Sequence, residues 1–404
     1  MASNRPSERP WQLPDGIDEL LPGEAKRAES LRRALLDTAR SFGYQLVIPP
    51  MVEFTDSLLV GVGEDLDRLT FKVPDQVSGR MLGFRADMTP QVARMDAHSL
   101  GGDSINRLCY AGSTLHTRPG SLASSRSPMQ LGAELYGAKS LAADMEVIDL
   151  MLTMLGKAGV PADGDLTLDL GHATIFRALM DASELSGSAQ EEAVFGALQR
   201  KSRPELTELC SSLPEPVGER MSTLMDLHGD VSVLDRARAS LGGVSAAIDT
   251  ALDELGELAA VIQNRYPALS LYLDLAELRG YHYHTGVVFA AYTRTLGESL
   301  ARGGRYDDVG AVYGSARPAT GFATDLRVLL RFYGDEMSAT NAIAAPLSDD
   351  AALAAAVTKL REEGECVICT LDAAADERCD RELVLIDGEW RVEAISASNA
   401  GAKE

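Results

Sequence analysis

The stretch STLHTRPGSLASSRSPMQLGAELYG, Ser113 to Gly137, divides into two parts of different character. As far as Pro128 it is polar and made of small residues and turn formers, which reads as a loop. From Met129 onward apolar and polar residues alternate, and MQLGAELYG reads as a strand. Gln130 and Glu134 stand four apart on that strand, so their side chains share one face. Immediately upstream, NRLCYAGSTLH reads as a second strand, and LTFKVPD and GRMLGFRADMTP as two more. The spacing is that of an antiparallel sheet, with TPQVARMDAHSL and SLAADMEVIDLMLTMLGKAG as helices beside it. Arg, Gln and Glu gathered on this loop and strand suggest a ligand site.

Working outward, the N-terminal region predicts a long amphipathic helix from about Gly23 to Ser41 and a strand stopped by Pro49 and Pro50. From about Gly171 to Arg265 the pattern is almost wholly helical, with breaks at Pro204, Pro214 and Pro216 and at LGGVS. Strands resume in LSLYLDLAELRGYHYHTGVVFAAYT, GGRYDDVGAVYG and PATGFATDLRVLLRFYG. A helical block between strands of one sheet reads as an insertion. GGRYD, Gly303 to Asp307, reads by itself as a tight turn at a strand end. Residues 336–404 predict helix, strand, strand, strand, a small α/β unit. The fold class expected is therefore α+β: a core over 1–335 carrying the insertion at 171–265, and a separate C-terminal unit.

A chain of 404 residues with 45% hydrophobic and 24% charged residues fits an ordinary soluble protein of two or three domains. It has no apolar run long enough to span a bilayer and begins without the apolar core of a signal peptide, so no membrane partner and a cytoplasmic location are expected. The net charge of -22 argues against holding nucleic acid as a main task, which needs surplus Lys and Arg. Five scattered cysteines do not read as a disulfide framework. Cys366 and Cys369 form a C-x-x-C in ECVICTL, which reads as a buried strand, and no second pair follows at zinc spacing. No metal and no cofactor are expected.

In order and in four local motifs the chain resembles class II aminoacyl-tRNA synthetases, and specifically histidyl-tRNA synthetase, over roughly residues 10 to 332. YQLVIPP (44–50) with the preceding helix is similar to the first class II motif, which in that family forms a dimer interface. RADMTPQVAR, Arg85 to Arg94, resembles the loop that holds the histidine α-ammonium. Ser113–Gly137 resembles the second motif and GGRYDDVGAVYGSARPATGFATDLRVL the third. RGYHYHTGVVF, Arg279 to Phe289, resembles the histidine signature. The resemblance implies a histidine-binding set of Asp87, Thr89, Gln130, Glu134, Arg279, Tyr283 and His284. Their chemistry suits a small zwitterion with a polar ring: carboxylates and amides for an ammonium or an imidazole, a guanidinium for a carboxylate. His284 stands where the family has Tyr, and His282 replaces an acidic residue. Both fall on one face of a predicted strand, so packed histidines and a zinc pair are both open.

Two departures bear on ATP. The family places one Arg of the second motif on the α-phosphate and one of the third near the γ-phosphate. Here those positions are His116 and Val328. At roughly 2 to 4 kcal/mol for each lost transition-state donor, activation slows on the order of a thousandfold or more. Arg118 and Arg327 lie nearby, but Arg327 is one residue off and points elsewhere in either a strand or a helix. The loop GSLASSRSP is small and mostly neutral, and the C-terminal unit is acidic. A histidine-shaped pocket without ATP machinery resembles the regulatory subunits of ATP phosphoribosyltransferase, paralogues of the synthetase. That resemblance implies a non-catalytic protein that dimerises, pairs with a short-form ATP phosphoribosyltransferase catalytic subunit, activates it in the first step of histidine biosynthesis, and carries feedback by L-histidine as effector. A working histidyl-tRNA synthetase, a stand-alone histidine sensor or adaptor, and a metal-dependent hydrolase using His282 and His284 are the competing readings.

Overall fold

The computed structural model describes residues 12–60, 64–102, 104–119, 125–161, 164–213, 215–278, 280–281, 283–314, 316–334, 341–371 and 376–395. The sequence readings that fall on Arg279, His282, Pro214 and residues 120–124 lie outside the described residues. The chain divides into two compact units, Met1–Gly334 and Asp335–Glu404.

In the first unit the helix Pro22–Ser41 starts with proline in its first turn, where the missing N–H has no intrahelical partner to lose. It buries Ala28, Leu31, Leu35 and Ala39, spaced to form one stripe against the core. Among the described residues nine strands form one sheet. Its order is Gln45–Leu46, Asn106–Ser113, Met129–Tyr136, Ala319–Asp325, Ala301–Arg305, Val287–Thr293, Leu166–His172, Ser270–Asp274 and His228–Gly229. The pairings are antiparallel except Gln45–Leu46 with Asn106–Ser113 and Leu166–His172 with Ser270–Asp274. Because side chains alternate across a strand, the sheet separates two environments. Cys109, Leu131, Ala133, Leu135, Leu168 and Phe289 join the main core with Leu31, Leu35, Ile148 and Met151 of the helices. Leu108, Tyr110 and Tyr136 face the other way, into a smaller cluster with Met88, Val92 and Tyr306.

Several expectations are corrected. The strand Leu166–His172, whose Leu168 and Leu170 are fully buried, is absent from the sequence reading, and the helices of the block start at Ala173. The block also contributes to the sheet, since His228–Gly229 pairs with Ser270–Asp274. GGRYD is not a turn: Gly303, Gly304 and Arg305 belong to the strand Ala301–Arg305. Gly303 is needed there for space rather than for backbone angles. A Cβ at Gly303 would sit 2.1 Å from the Gly321 carbonyl and 2.7 Å from the Phe289 ring.

Among the described residues the second unit has four strands in the order Val367–Cys369, Ala342–Ala345, Cys379–Ile386, Glu389–Ala394, with the helix Ala351–Glu362. The first strand in sequence, AIAA, is absent from the sequence reading because alanine carries little strand preference. Its Ile343 and Ala345 are buried with Leu353 and Val357. The segment ECVICTL is an edge strand and not a buried one: Val367 is buried, while Cys366 and Cys369 are exposed.

One buried ion pair ties sheet to helix. Arg305 Nη2 lies 2.6 Å from Asp144 Oδ2, on the helix Leu141–Lys157, and its other nitrogen Nη1 donates to the Ala138 carbonyl at 3.2 Å. Removing one partner strands a buried charge, so Asp144→Ala is expected to destabilise the protein by about 3–5 kcal/mol. Denaturant unfolding measures this, and a loss below about 1 kcal/mol contradicts the assignment.

Candidate functional site

The smaller face of the sheet carries the polar residues singled out above. Met129–Tyr136 presents Gln130, Gly132, Glu134 and Tyr136 to it, and in register Gly132 lies opposite Tyr110 while Glu134 lies opposite Leu108 and Gly321. The glycines make room. A Cβ at Gly132 would come 2.3 Å from the Tyr110 hydroxyl, and one at Gly321 would come 1.6 Å from Glu134 Oε2. Each larger neighbour therefore occupies the space a side chain would fill.

Glu134, at 1% exposure, is the hub. Its Oε1 accepts from the Tyr110 hydroxyl at 2.9 Å and from Thr89 Oγ1 at 3.1 Å. Its Oε2 accepts from the Tyr306 hydroxyl at 2.5 Å, which also lies 3.2 Å from the Tyr136 hydroxyl. Burial pushes the Glu134 carboxyl up to about 8, against the hydrogen bonds from Tyr306 and Tyr110 and with help from the negative charge of Asp87. The carboxyl is thus poised to exchange a proton or a hydrogen bond with a ligand near neutral pH.

Beside the hub, Asp87 Oδ1 accepts from the Thr89 amide at 2.9 Å and from Gln130 Nε2 at 2.8 Å. Gln130 Oε1 in turn accepts from the Met88 amide at 2.9 Å. This closed set fixes the turn that starts the helix Thr89–Arg94. The helix is held from behind by Glu53, whose Oε1 accepts from Gln91 Nε2 at 2.9 Å and from Arg94 Nη2 at 2.6 Å. Asp87, Thr89, Gln130 and Glu134 are therefore brought together in one connected network.

Tyr283 and His284 do not lie on a strand, which corrects the sequence reading; the strand begins only at Val287. Gly280 adopts a φ of +70°, and its carbonyl accepts from the amides of Tyr283 at 3.0 Å and His284 at 2.8 Å, closing a tight turn. A Cβ at Gly280 would sit 2.6 Å from the Tyr283 ring. The His284 imidazole is buried, the Tyr283 ring is half exposed, and their centroids are 4.3 Å apart. Among the described residues no group of three or more His, Cys, Asp or Glu side chains is placed to hold a metal ion.

His116 and Val328, read from the sequence as lost ATP contacts, both have structural partners. His116 Nε2 lies 2.9 Å from the Ala86 carbonyl, and its amide donates to the Arg126 carbonyl at 2.8 Å. Val328 belongs to the helix Leu326–Leu329 and packs on the main core. Arg327 donates instead to the Asp18 carbonyl at 3.0 Å, and Arg118 is exposed. Sequence reasoning missed Tyr110, Tyr136 and Tyr306. The alternation of NRLCYAG puts Leu108 and Tyr110 on one face of their strand, a signal for Tyr110; Tyr306 carried no such pattern.

Residues 16–329 match the sequence model of a family described as Histidyl-tRNA synthetase, and residues 340–393 match the ATP phosphoribosyltransferase subunit HisZ C-terminal domain. The ATP phosphoribosyltransferase regulatory subunit of Pseudomonas putida is 52% identical over 388 residues, covering 95% of this chain and 97% of that protein. That of Stutzerimonas stutzeri is 51% identical over 393 residues, covering 96% and 98%. The chain belongs to the family of ATP phosphoribosyltransferase regulatory subunits. The fold is shared with solved structures. One from Bacillus halodurans, described as an ATP phosphoribosyltransferase regulatory subunit/histidyl-tRNA synthetase, superposes with a TM-score of 0.77 at 27% identity, covering 91% of this chain and 95% of its own. A histidyl-tRNA synthetase from Nostoc sp. PCC 7120 shares the class II fold, with a TM-score of 0.74 at 17% identity over 95% of this chain and 97% of its own.

The raised Glu134 value sets a pH dependence. A carboxyl whose folded value lies near 8, above its ordinary 4.5, stabilises the fold fully below about 4.5 and loses that contribution as pH rises through 8. Glu134→Gln mimics the neutral form. The variant is expected to gain stability relative to the parent protein as pH rises from about 5 to about 8, read from unfolding midpoints. A pH-independent difference contradicts a protonated Glu134.

Proposed function

We propose that this chain is the non-catalytic regulatory partner of a short-form ATP phosphoribosyltransferase catalytic subunit, activating formation of phosphoribosyl-ATP and carrying histidine feedback. What supports the reading is the connected set of buried polar side chains around Glu134, together with a histidine and a valine at the two positions read from the sequence as phosphate contacts. The Glu134 network persists, while His116 and Val328 are bedded into backbone and core where two phosphate-binding arginines are needed. Neutral imidazole and valine supply no bidentate charge to a triphosphate.

In this reading Glu134 takes the imidazole of histidine, Asp87, Thr89 and Gln130 take its ammonium, and Arg279 takes its carboxylate. Tyr283 and His284 close the pocket from the turn after Gly280. Buried hydrogen-bonding groups reject ligands lacking the matching atoms, which suits an effector site that must ignore other amino acids. Histidine inhibits by binding more tightly to the inactive arrangement of the complex, a coupling typically of about 1–3 kcal/mol. Dimerisation fits the short edge strand Gln45–Leu46, beside which Leu46, Ile48 and Met51 are 50%, 80% and 40% exposed. The absence among the described residues of a helix long and apolar enough to cross a membrane agrees with action in the cytoplasm, and the net charge of -22 disfavours a nucleic-acid partner.

Calorimetry with L-histidine tests the pocket. The parent protein is expected to bind, and Glu134→Ala and Arg279→Ala to weaken binding roughly tenfold while remaining folded, as loss of a buried hydrogen bond implies. ATP-dependent pyrophosphate exchange with histidine is expected to stay at background. Unchanged affinity in both variants removes the pocket, and robust exchange restores the synthetase.

A further inference from the structure

The turn that carries Tyr283 and His284 is not self-supporting. Three of its amides are satisfied locally: Tyr281 donates to the Leu278 carbonyl at 3.0 Å, and Tyr283 and His284 donate to Gly280, while the Thr285 amide donates to the Arg305 carbonyl at 2.7 Å. Its carbonyls are satisfied elsewhere, by one helix of the insertion, Ala173–Ala182. The Gly286 carbonyl accepts from the Ala173 amide at 2.9 Å, and that of Thr285 from Thr174 Oγ1 at 3.0 Å. The carbonyls of His284 and Tyr281 both accept from Arg177 Nη2 at 3.0 Å. A single guanidinium nitrogen thus spans the turn and sets the separation of its two ends.

A second helix of the insertion, Ala189–Gln199, grips the same turn through a side chain. The Tyr281 hydroxyl donates to Glu191 Oε1 at 2.8 Å, and Glu191 Oε2 accepts from the Gly187 amide at 2.6 Å ahead of that helix. The Tyr281 ring packs edge-on against Phe176 at 5.1 Å and tilted against Phe195 at 5.3 Å, with the Arg177 guanidinium carbon 5.1 Å from its centroid. Tyr281 is buried at 7% exposure, so these contacts exclude water and hold the ring in one place.

We propose that the helical insertion is the positioning device of the histidine pocket: Arg177, Tyr281 and Glu191 set the Tyr283–His284 turn, and pocket occupancy is passed through them to the helix Ala189–Gln199. The inference rests on the histidine-pocket reading above. A rigid helix joined by hydrogen bonds to one wall of a ligand site is a physically contiguous element that both ends can bias. None of the three residues needs to touch the ligand. The insertion thereby acquires a role beyond buttressing the sheet, as the part of this subunit whose rigidity changes with histidine.

The test uses the full chain and L-histidine, with affinity by calorimetry, melting temperature, and hydrogen exchange. Tyr281→Phe deletes one hydroxyl from an otherwise unchanged ring and is expected to weaken histidine about 3- to 10-fold, the effect of one ordinary hydrogen bond. Glu191→Ala should weaken it to a similar degree, whereas Glu191→Gln, which keeps an acceptor for Tyr281, should stay within about twofold of the parent protein. Histidine should slow amide exchange in Ala189–Gln199 in the parent protein and not in Tyr281→Phe. A purely structural role lowers the melting temperature of these variants and leaves both histidine affinity and the exchange response unchanged, which overturns the proposal. Failure of the parent protein to bind histidine at all overturns the pocket reading itself and the positioning role with it.

Discussion

A carboxyl group placed in the interior of a sheet is the constraint around which this protein is arranged. Glu134 is shielded from water on the smaller face of the sheet and, left alone there, would be strongly unfavourable. Three hydroxyls, from Tyr110, Thr89 and Tyr306, converge on it and offset the loss of solvent. Meeting that requirement dictates the neighbourhood. Gly132 must lack a side chain for Tyr110 to cross it, and Gly321 for Glu134 itself to fit. Tyr306 must follow a strand drawn close to its neighbours, which Gly303 permits. The same hydroxyls hold the carboxyl in one place in a low-dielectric setting.

Fold and chemistry are separable here. The strands Asn106–Ser113, Met129–Tyr136, Ala301–Arg305 and Ala319–Asp325 build the middle of the sheet, while His116 and Val328, read from the sequence as lost triphosphate contacts, are half-buried. His116 is held by backbone groups, and Val328 contributes apolar surface to the core beside the helix Leu326–Leu329. A substitution of Arg by Val on a short helix exchanges a solvated charge for buried area, which favours the folded state while removing a charge that only the reaction needs. Glu134, Thr89, Asp87 and Gln130 stay connected because their hydrogen bonds also hold this part of the fold together. A site of this kind is suited to report the presence of an amino acid rather than to transform it.

Much of the arrangement was legible in the sequence where period and punctuation agree. The alternation in MQLGAELYG placed Gln130 and Glu134 on one face, as the strand Met129–Tyr136 does. The N-terminal helix, read from its apolar stripe, runs from Pro22 to Ser41. What was not legible depended on distant partners. The run AIAA becomes a strand only because Leu353 and Val357 cover it. Gly303 looks like a turn residue until the Gly321 carbonyl is brought against it by pairing across the sheet. YHYHTG alternates like a strand, yet Gly280 at φ +70° folds it into a turn whose carbonyls are bonded by a helix about a hundred residues earlier. Tyr306 likewise joins the site through tertiary placement, and nothing in its local sequence marks it.

Regulation of a separate ATP phosphoribosyltransferase catalytic subunit, with feedback by histidine, is the function proposed for this chain. Its most direct test is phosphoribosyl-ATP formation by the short-form catalytic subunit from the same genome, measured alone, with this protein, and with this protein plus L-histidine. Activation on adding the protein, reversed by histidine and far less sensitive to histidine when Glu134 is replaced by alanine, is the predicted result. A catalytic rate indifferent to this protein, with both chains folded and mixed at micromolar concentration, would contradict it.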